Sequence, residues 1–249
     1  MTPVVMLHGI GADGRLWHPQ RAPFAARGYE AVPLDLPGYG ARPQVEALDF
    51  ETMAADVEAA IAARGLQRPV LLGHSMGGMV AQALLRRRPD AYAAAILCAT
   101  SPAFGNPSGD FQRDFVAARL RPLEEGRTLA EIAPETLAAL TGPNGTPFRD
   151  LALEALSATP PATFRAAVRA LVTFDERANL GAIRVPVLCL AGEVDTNAPA
   201  PMMQRMAGKI PGAAYICLPK VGHLPNIEAP DAFDAAVLDF LDRHLKGPR

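Results

Sequence analysis

Val70-Leu71-Leu72-Gly73-His74-Ser75-Met76-Gly77-Gly78-Met79-Val80 is the stretch that decides how this chain folds. An apolar run suited to one buried strand stops at Gly73, sets a serine at its tip and restarts at once with helical spacing. Glycines stand two residues before and two after Ser75, as a turn too tight for side chains requires. Ser75 itself is expected in a strained backbone conformation, with its hydroxyl projecting from the end of the strand. The helix opening at Met76 aims unsatisfied N–H groups and its positive dipole end at the same point. Gly-x-Ser-x-Gly alone also describes an ordinary glycine-rich turn. The strand before it and the helix after it are what give the string weight.

Outward from this stretch, strand and helix patterns alternate. Thr2 to Leu7 reads as a strand buried on both faces and runs into His8-Gly9-Ile10-Gly11. A helix is expected from about Trp17 to Arg27, then a strand over Tyr29 to Leu34, closing in the turn Asp35-Leu36-Pro37-Gly38-Tyr39-Gly40. Asp49 is placed to cap a helix carrying Phe50, Met53, Ala54, Val57 and Ile61 on one face, with Gly65 as its stop. The helix after Ser75 ends in Arg86-Arg87-Arg88, a basic triplet read as a solvated helix end, and Ala93 to Ala99 is the next strand. Such alternation marks an α/β protein with a mostly parallel sheet and helices on both faces.

From Ser101 the strands disappear until Val185. Helical patterns at Phe111 to Leu120, Leu129 to Leu140, Phe148 to Leu156 and Phe164 to Phe174 are separated by proline and glycine punctuation. This reads as a helical cap over residues 103–178, inserted into a core formed by 1–102 and 179–249. It falls where loops at the carboxyl ends of strands cover a ligand crevice. An interaction module or a stabilising appendage would fit the same pattern. Alternation then resumes with a strand at Pro186 to Leu190, a helix near Pro199 to Lys209, a strand at Ala214 to Leu218, and a last helix striped by Phe233, Val237, Phe240 and Leu241.

The 249 residues suffice for a large core, and a net charge of −2 without a basic stripe gives no footprint for nucleic acid. No apolar run reaches membrane-spanning length, and the first residues lack the basic and small-residue marks of a signal peptide. Cys98, Cys189 and Cys217 each sit in an apolar run, so buried inert thiols in a reducing, cytoplasmic setting are expected. No Cys/His cluster suggests a metal.

A serine hydroxyl at neutral pH is a poor nucleophile until a base takes its proton and a third group orients that base. Of the five histidines, His223 is the best base, because Val221-Gly222 carries it just past the last strand, beside Ser75. His74 should point away as a packing residue and His8 should fix its own loop, while His18 and His244 read as ordinary helix positions. The acid is sought at a strand end between Ser75 and His223. Asp195 in Leu190-Ala191-Gly192-Glu193-Val194-Asp195 is favoured over Glu193 because it lies farther out on the loop. The backbone N–H groups of Met76 and Ile10 are the candidate donors to a developing oxyanion, with Gly9 and Gly11 leaving room for substrate. Ile10 and Met76 side chains would wall the pocket, and Trp17 with scattered Met and Phe would make it largely apolar.

Together, Leu7-His8-Gly9-Ile10-Gly11, Asp35-Leu36-Pro37-Gly38-Tyr39-Gly40, Gly73-His74-Ser75-Met76-Gly77-Gly78, Gly192-x-x-Asp195-x-x-x-Pro199 and Gly222-His223-x-x-x-x-Glu228-x-Pro230 resemble the α/β-hydrolase superfamily. The likeness is to its carboxylesterase, 3-oxoadipate enol-lactonase and C–C hydrolase branch, and it covers most of the chain outside the insertion. It implies Ser75 as nucleophile, Asp195 and His223 as its partners, Ile10 and Met76 as oxyanion donors, and no cofactor or metal. Serine at the elbow argues against the dehalogenase and epoxide-hydrolase branches, which carry aspartate there. The N-terminal hairpin usual in this superfamily is missing. About six strands are therefore expected, with Tyr29 to Leu34 on an exposed edge through which a dimer could pair, so monomer and homodimer both stay open.

The expected function is hydrolysis of a small carboxylic ester or enol-lactone through an acyl-enzyme. Cleavage of a C–C bond in a 2-hydroxy-6-oxo-dienoate is the alternative, and a non-catalytic ligand receptor is the reading from a different class. The partner is a small molecule, with neither nucleic acid nor membrane. The insertion offers Arg113, Arg119, Arg121, Arg127, Arg149, Arg165, Arg169 and Arg177, of which Arg119 is the candidate to grip a substrate carboxylate.

Overall fold

In a computed structural model, which describes residues 1–45, 48–105 and 110–246, six strands form one sheet in the order β2-β1-β3-β4-β5-β6. They are β1 (Thr2–Leu7), β2 (Tyr29–Leu34), β3 (Val70–His74), β4 (Ala95–Cys98), β5 (Val187–Gly192) and β6 (Ala214–Leu218). Every pairing between them is parallel. The chain runs from β1 outward to β2, then returns past β1 to β3 and builds the rest of the sheet on the other side. The order therefore reverses between β1 and β3, where the loops at the two carboxyl ends part and leave a crevice.

Alternation along the strands sorts the core into two layers. Val5, Leu7, Leu71 and Leu97 face α2 (Phe50–Ala63), α3 (Met76–Arg87) and α8 (Ala200–Ala207), where they meet Met53, Val57, Val80, Leu84 and Met203. Val4, Met6, Val70, Leu72 and Ile96 face α1 (Arg21–Ala26) and α10 (Pro230–Leu245), packing with Phe24, Phe233, Val237 and Phe240. Both layers are buried, which is why the central strands read as unbroken apolar runs. Asp49 caps α2 by accepting from the Thr52 N–H at 2.7 Å, and Gly65 ends it at φ 63°.

Between β4 and β5 lie α4 (Phe111–Glu124), α5 (Leu129–Leu140), α6 (Arg149–Ala158) and α7 (Pro161–Leu171). The two ends of this insertion meet, with Ala103 and Asp175 in an isolated antiparallel bridge. Leu137, Ala152 and Ala155 of the insertion pack on Ala12, on Leu16 of a short 3-10 helix (Gly14–Gln20) and on Ile227 of α9 (Pro225–Glu228). No helix among the described residues is long and apolar enough to cross a membrane.

Three expectations are corrected. The segment read as one helix from Trp17 to Arg27 is a 3-10 helix over Gly14–Gln20 followed by α1, because Pro19 and Pro23 remove two of the N–H donors that a continuous α-helix would use. Cys217 is exposed, because β6 is an edge strand; Cys98 and Cys189 are buried as expected. Arg86 and Arg87 are not merely solvated: Arg86 bonds Glu176 and Glu51, and Arg87 bonds Glu51 and Glu58, tying α3 to α2. The expected edge position of Tyr29–Leu34 is observed.

Candidate active site

Ser75 caps α3 at φ 51° and ψ −117°, a conformation that side-chain-bearing residues rarely adopt. The reason it is held there lies in its neighbours. A Cβ on Gly73 would sit 2.3 Å from the carbonyl oxygen of Gly77, and one on Gly77 would sit 2.2 Å from that of Leu7. β3 and α3 therefore meet, and α3 meets β1, at backbone-to-backbone distance. The Ser75 backbone is tied from both sides. Its N–H donates to the Cys98 carbonyl at 2.9 Å, and its carbonyl accepts from Thr100 Oγ1 at 2.7 Å.

The Ser75 hydroxyl lies 3.0 Å from His223 Nε2, and His223 Nδ1 lies 2.7 Å from Asp195 Oδ2. With the carboxylate accepting from Nδ1–H, the neutral imidazole presents the Nε2 lone pair to the serine. The other Asp195 oxygen accepts from the N–H groups of Asn197 at 2.8 Å and Ala198 at 3.1 Å. Burial by itself would raise the Asp195 carboxyl, but the bonds from His223 and these two amides outweigh it and hold it below the usual carboxylate range. Glu193, its rival from the sequence, instead accepts from the Lys220 N–H at 2.8 Å.

His74 and His8 hold supporting places beside these residues. His74, expected to point away from Ser75, instead lines the same cavity, its ring 5.0 Å from that of His223 and its Nε2 2.6 Å from the His223 carbonyl. Burial, reinforced by the neighbouring His223, lowers its pKa to about 3, so it stays neutral. His8 Nε2 accepts from the Leu36 N–H at 3.0 Å, joining the loops after β1 and β2, and burial lowers its pKa as well.

Gly9 lies directly against Ser75, since a Cβ there would be 3.2 Å from that of the serine. The N–H groups of Ile10 and of Met76, the first residue of α3, have no acceptor among the described residues. Ile10 and Gly9 line a cavity of about 690 Å³ that also holds Ser75 and His223, roofed by residues of α4, α5 and α7. Its wall is mostly apolar and includes Phe104, Phe115, Ile132, Phe164 and Met202. Two expected wall residues are absent from it. Trp17 is buried on the opposite side of the sheet against Phe233, ring centres 6.3 Å apart, because the 3-10 helix turns it inward. The Met76 side chain is fully buried in the core beneath α3. Arg119 does line the cavity.

Two polar groups escaped the sequence reading. Thr100, just past β4, had a signal in being a polar residue at the carboxyl end of a buried strand. Glu228 stood in a quoted motif without a role, and the structure supplies one. Its Oε2 accepts from the N–H groups of Gly142 at 2.7 Å and Gly222 at 2.8 Å, and its Oε1 from Leu224 at 2.8 Å. One carboxylate thereby brackets His223 and joins its loop to the end of α5, which also receives the His223 N–H at Leu140, 2.7 Å away. Glu228→Gln keeps the shape but opposes an NH₂ group to these donors. It is expected to cost about 1–3 kcal/mol of stability, read from the urea midpoint, and to lower kcat more than it raises KM.

A strained serine on a strand-to-helix turn, a carboxylate and a histidine from the ends of the last two strands, and a helical roof together invite comparison with known proteins. Residues 4–236 match the model of the alpha/beta hydrolase family. A solved thermophilic esterase from Thermogutta terrifontis is 30% identical and superposes with a TM-score of 0.87 over 98% of this chain and 91% of its own. The AB hydrolase superfamily protein YisY of Bacillus subtilis is 30% identical over 248 residues, 96% of this chain and 91% of YisY. An enol-lactonase from Burkholderia xenovorans shares the fold, with a TM-score of 0.84 at 24% identity over 96% of this chain and 91% of its own. On the sheet order, the elbow geometry and these likenesses alike, the chain is a hydrolase that belongs to the alpha/beta hydrolase family.

Proposed function

We propose that this hydrolase cleaves a small carboxylic ester or lactone through an acyl-enzyme on Ser75. The carrying observation is the unbroken chain from Ser75 Oγ through His223 to Asp195, 3.0 and 2.7 Å, opening into a closed-over apolar cavity. In this reading Ser75 Oγ attacks the ester carbonyl as its proton passes to His223 Nε2. Asp195 stabilises the imidazolium that forms. Charge gathering on the carbonyl oxygen is met by the N–H groups of Ile10 and Met76, which have no other acceptor among the described residues. The tetrahedral intermediate collapses by breaking the bond to the alkoxy group, which leaves with the proton held on His223. A water then gives its proton to His223, attacks the acyl carbon and releases the acid, and the proton returns to Ser75.

In this reading residues 103–178 are the cap over the cavity, and the likeness to the Thermogutta esterase favours ester chemistry. The test is turnover of short-chain 4-nitrophenyl esters together with fluorophosphonate labelling mapped by mass spectrometry. Turnover with the label on Ser75 is expected. Silence on esters beside rapid consumption of a 2-hydroxy-6-oxo-dienoate would overturn the reading in favour of C–C cleavage. Absence of both turnover and label would leave a ligand receptor.

A further inference from the structure

The two N–H groups proposed to meet the oxyanion belong to peptide units whose carbonyls are each held by a side chain. The Met76 N–H shares its unit with the Ser75 carbonyl, and the Ile10 N–H shares its unit with that of Gly9. His8 Nδ1 lies 2.8 Å from the Gly9 oxygen. Because His8 Nε2 accepts from the Leu36 N–H, the proton of the neutral ring is on Nδ1, and His8 donates to Gly9. On the other side of the oxyanion, the Thr100 hydroxyl lies 2.7 Å from the Ser75 oxygen. A carbonyl only accepts, so the Thr100 proton lies on this bond.

Thr100 is brought there by the way the chain leaves β4. Ala99 takes φ 45°, a left-handed conformation that is costly for a residue with a side chain, and its N–H is held by the Leu190 carbonyl at 2.9 Å. The turn lays Thr100 and Ser101 along the start of α3. There Gln82 Nε2 donates to the Ser101 carbonyl at 3.0 Å and to the Gly78 carbonyl at 3.1 Å. Gly78 is glycine where a side chain would collide, since a Cβ would lie 2.7 Å from Thr100 Cβ and 2.8 Å from its Oγ1. Thr100 is itself buried, and its β-branched side chain is stiff. The Ser75 oxygen already accepts from the N–H groups of Gly78 at 2.9 Å and Met79 at 3.2 Å. Two donors satisfy a carbonyl's two lone pairs, so the third is surplus to the helix and acts on the peptide unit.

We propose that Thr100 is a positioning residue for the oxyanion, acting through the Ser75–Met76 peptide unit. The proposal rests on the acyl-enzyme reading above. The unit is planar, so fixing its oxygen fixes the direction in which the Met76 N–H points. A donor at the oxygen also draws electron density toward itself and makes the N–H at the other end a stronger donor. As Ser75 Oγ adds to the ester carbonyl, the π pair moves onto the carbonyl oxygen, and the charge there is what the Met76 N–H must meet. Thr100 does this without touching the substrate.

Thr100→Val keeps the shape of the side chain and removes the donor. On 4-nitrophenyl butyrate its kcat is expected to fall about tenfold, the weight of one hydrogen bond, with KM within about twofold of the wild type. Thr100→Ser, which keeps the hydroxyl without the methyl, should recover most of that loss. Inhibition by butyl trifluoromethyl ketone supplies a readout that packing alone would not move. Ser75 Oγ adds to its carbonyl carbon, the Ser75 proton passes to His223, and an alkoxide is left facing the two N–H groups. Its Ki should therefore rise in Thr100→Val by about the factor by which kcat falls. If valine does not fold, Thr100→Ala set against Thr100→Ser isolates the same hydroxyl. An unchanged kcat in Thr100→Val, equal losses in the valine and serine variants, or a lower kcat with an unchanged Ki overturns the proposal. Failure of the acyl-enzyme reading shows in the wild type itself, as no turnover of any ester and no label on Ser75, and takes this inference with it.

Discussion

Ser75→Ala is expected to abolish ester turnover, lowering kcat by roughly four to six orders of magnitude while the protein stays folded and still binds ligand. The size follows from cooperation within the site: without the hydroxyl, His223 has no proton to take and Asp195 has no imidazolium to stabilise, so the whole array is lost at once. A second variant at the same position separates chemistry from strain. At φ 51° and ψ −117°, Ser75 occupies a region open to glycine and costly for other residues, by about 1–3 kcal/mol. Ser75→Gly should therefore be equally inactive yet melt higher than the wild type, whereas Ser75→Ala keeps the strain. Kinetics on 4-nitrophenyl esters and thermal unfolding of the three proteins decide the matter. Residual turnover in Ser75→Ala above about one per cent of the wild-type rate would remove Ser75 from the nucleophile's role.

The second large effect is on folding. Gly77→Ala is expected to destabilise the protein by about 4 kcal/mol or more, a large part of a domain's total stability, and to leave little soluble product. The added carbon would lie 2.2 Å from the Leu7 carbonyl oxygen, 2.5 Å from the Leu7 carbonyl carbon and 2.7 Å from the His8 oxygen. All three are backbone atoms of β1 and its exit, so no side chain can swing away; α3 would have to lift off the sheet. Gly181→Ala is the control, because a carbon there meets nothing within 4 Å. It should stay within about 0.5 kcal/mol of the wild type in urea unfolding. Equal stability of the two variants would mean that the close approach of α3 to β1 is not what holds the elbow.

Legibility from sequence followed the range of the interactions involved. The strands and the elbow were readable because local pattern and tertiary burial agree there: Val70 to Leu72 are apolar because the strand is covered on both faces, and Gly73 and Gly77 are glycine because backbone meets backbone. Asp195 could be ranked above Glu193 by its reach along one loop, and its bond to His223 is the outcome. Trp17 shows the limit. An aromatic beside a glycine-rich loop suits a pocket wall as well as a core, and the turn of one short 3-10 helix sends it to the core. Cys217 failed for a related reason, since whether an apolar strand is central or on an edge depends on the order of strands in the sheet. Glu228 was visible as a letter in a motif, but its three donors come from Gly142, Gly222 and Leu224, two of them close by in sequence and one in another element.

By itself the sequence determined the fold class and the position of the strained serine, because both are written in short-range features: apolar periodicity and glycines where backbones touch. Only the tertiary structure decided which carboxylate reaches His223 and which side chains enclose the cavity. These depend on how segments some 80 residues apart, such as Arg119 and Asn197, come to share one wall, and packing of that range leaves no periodic trace in the chain.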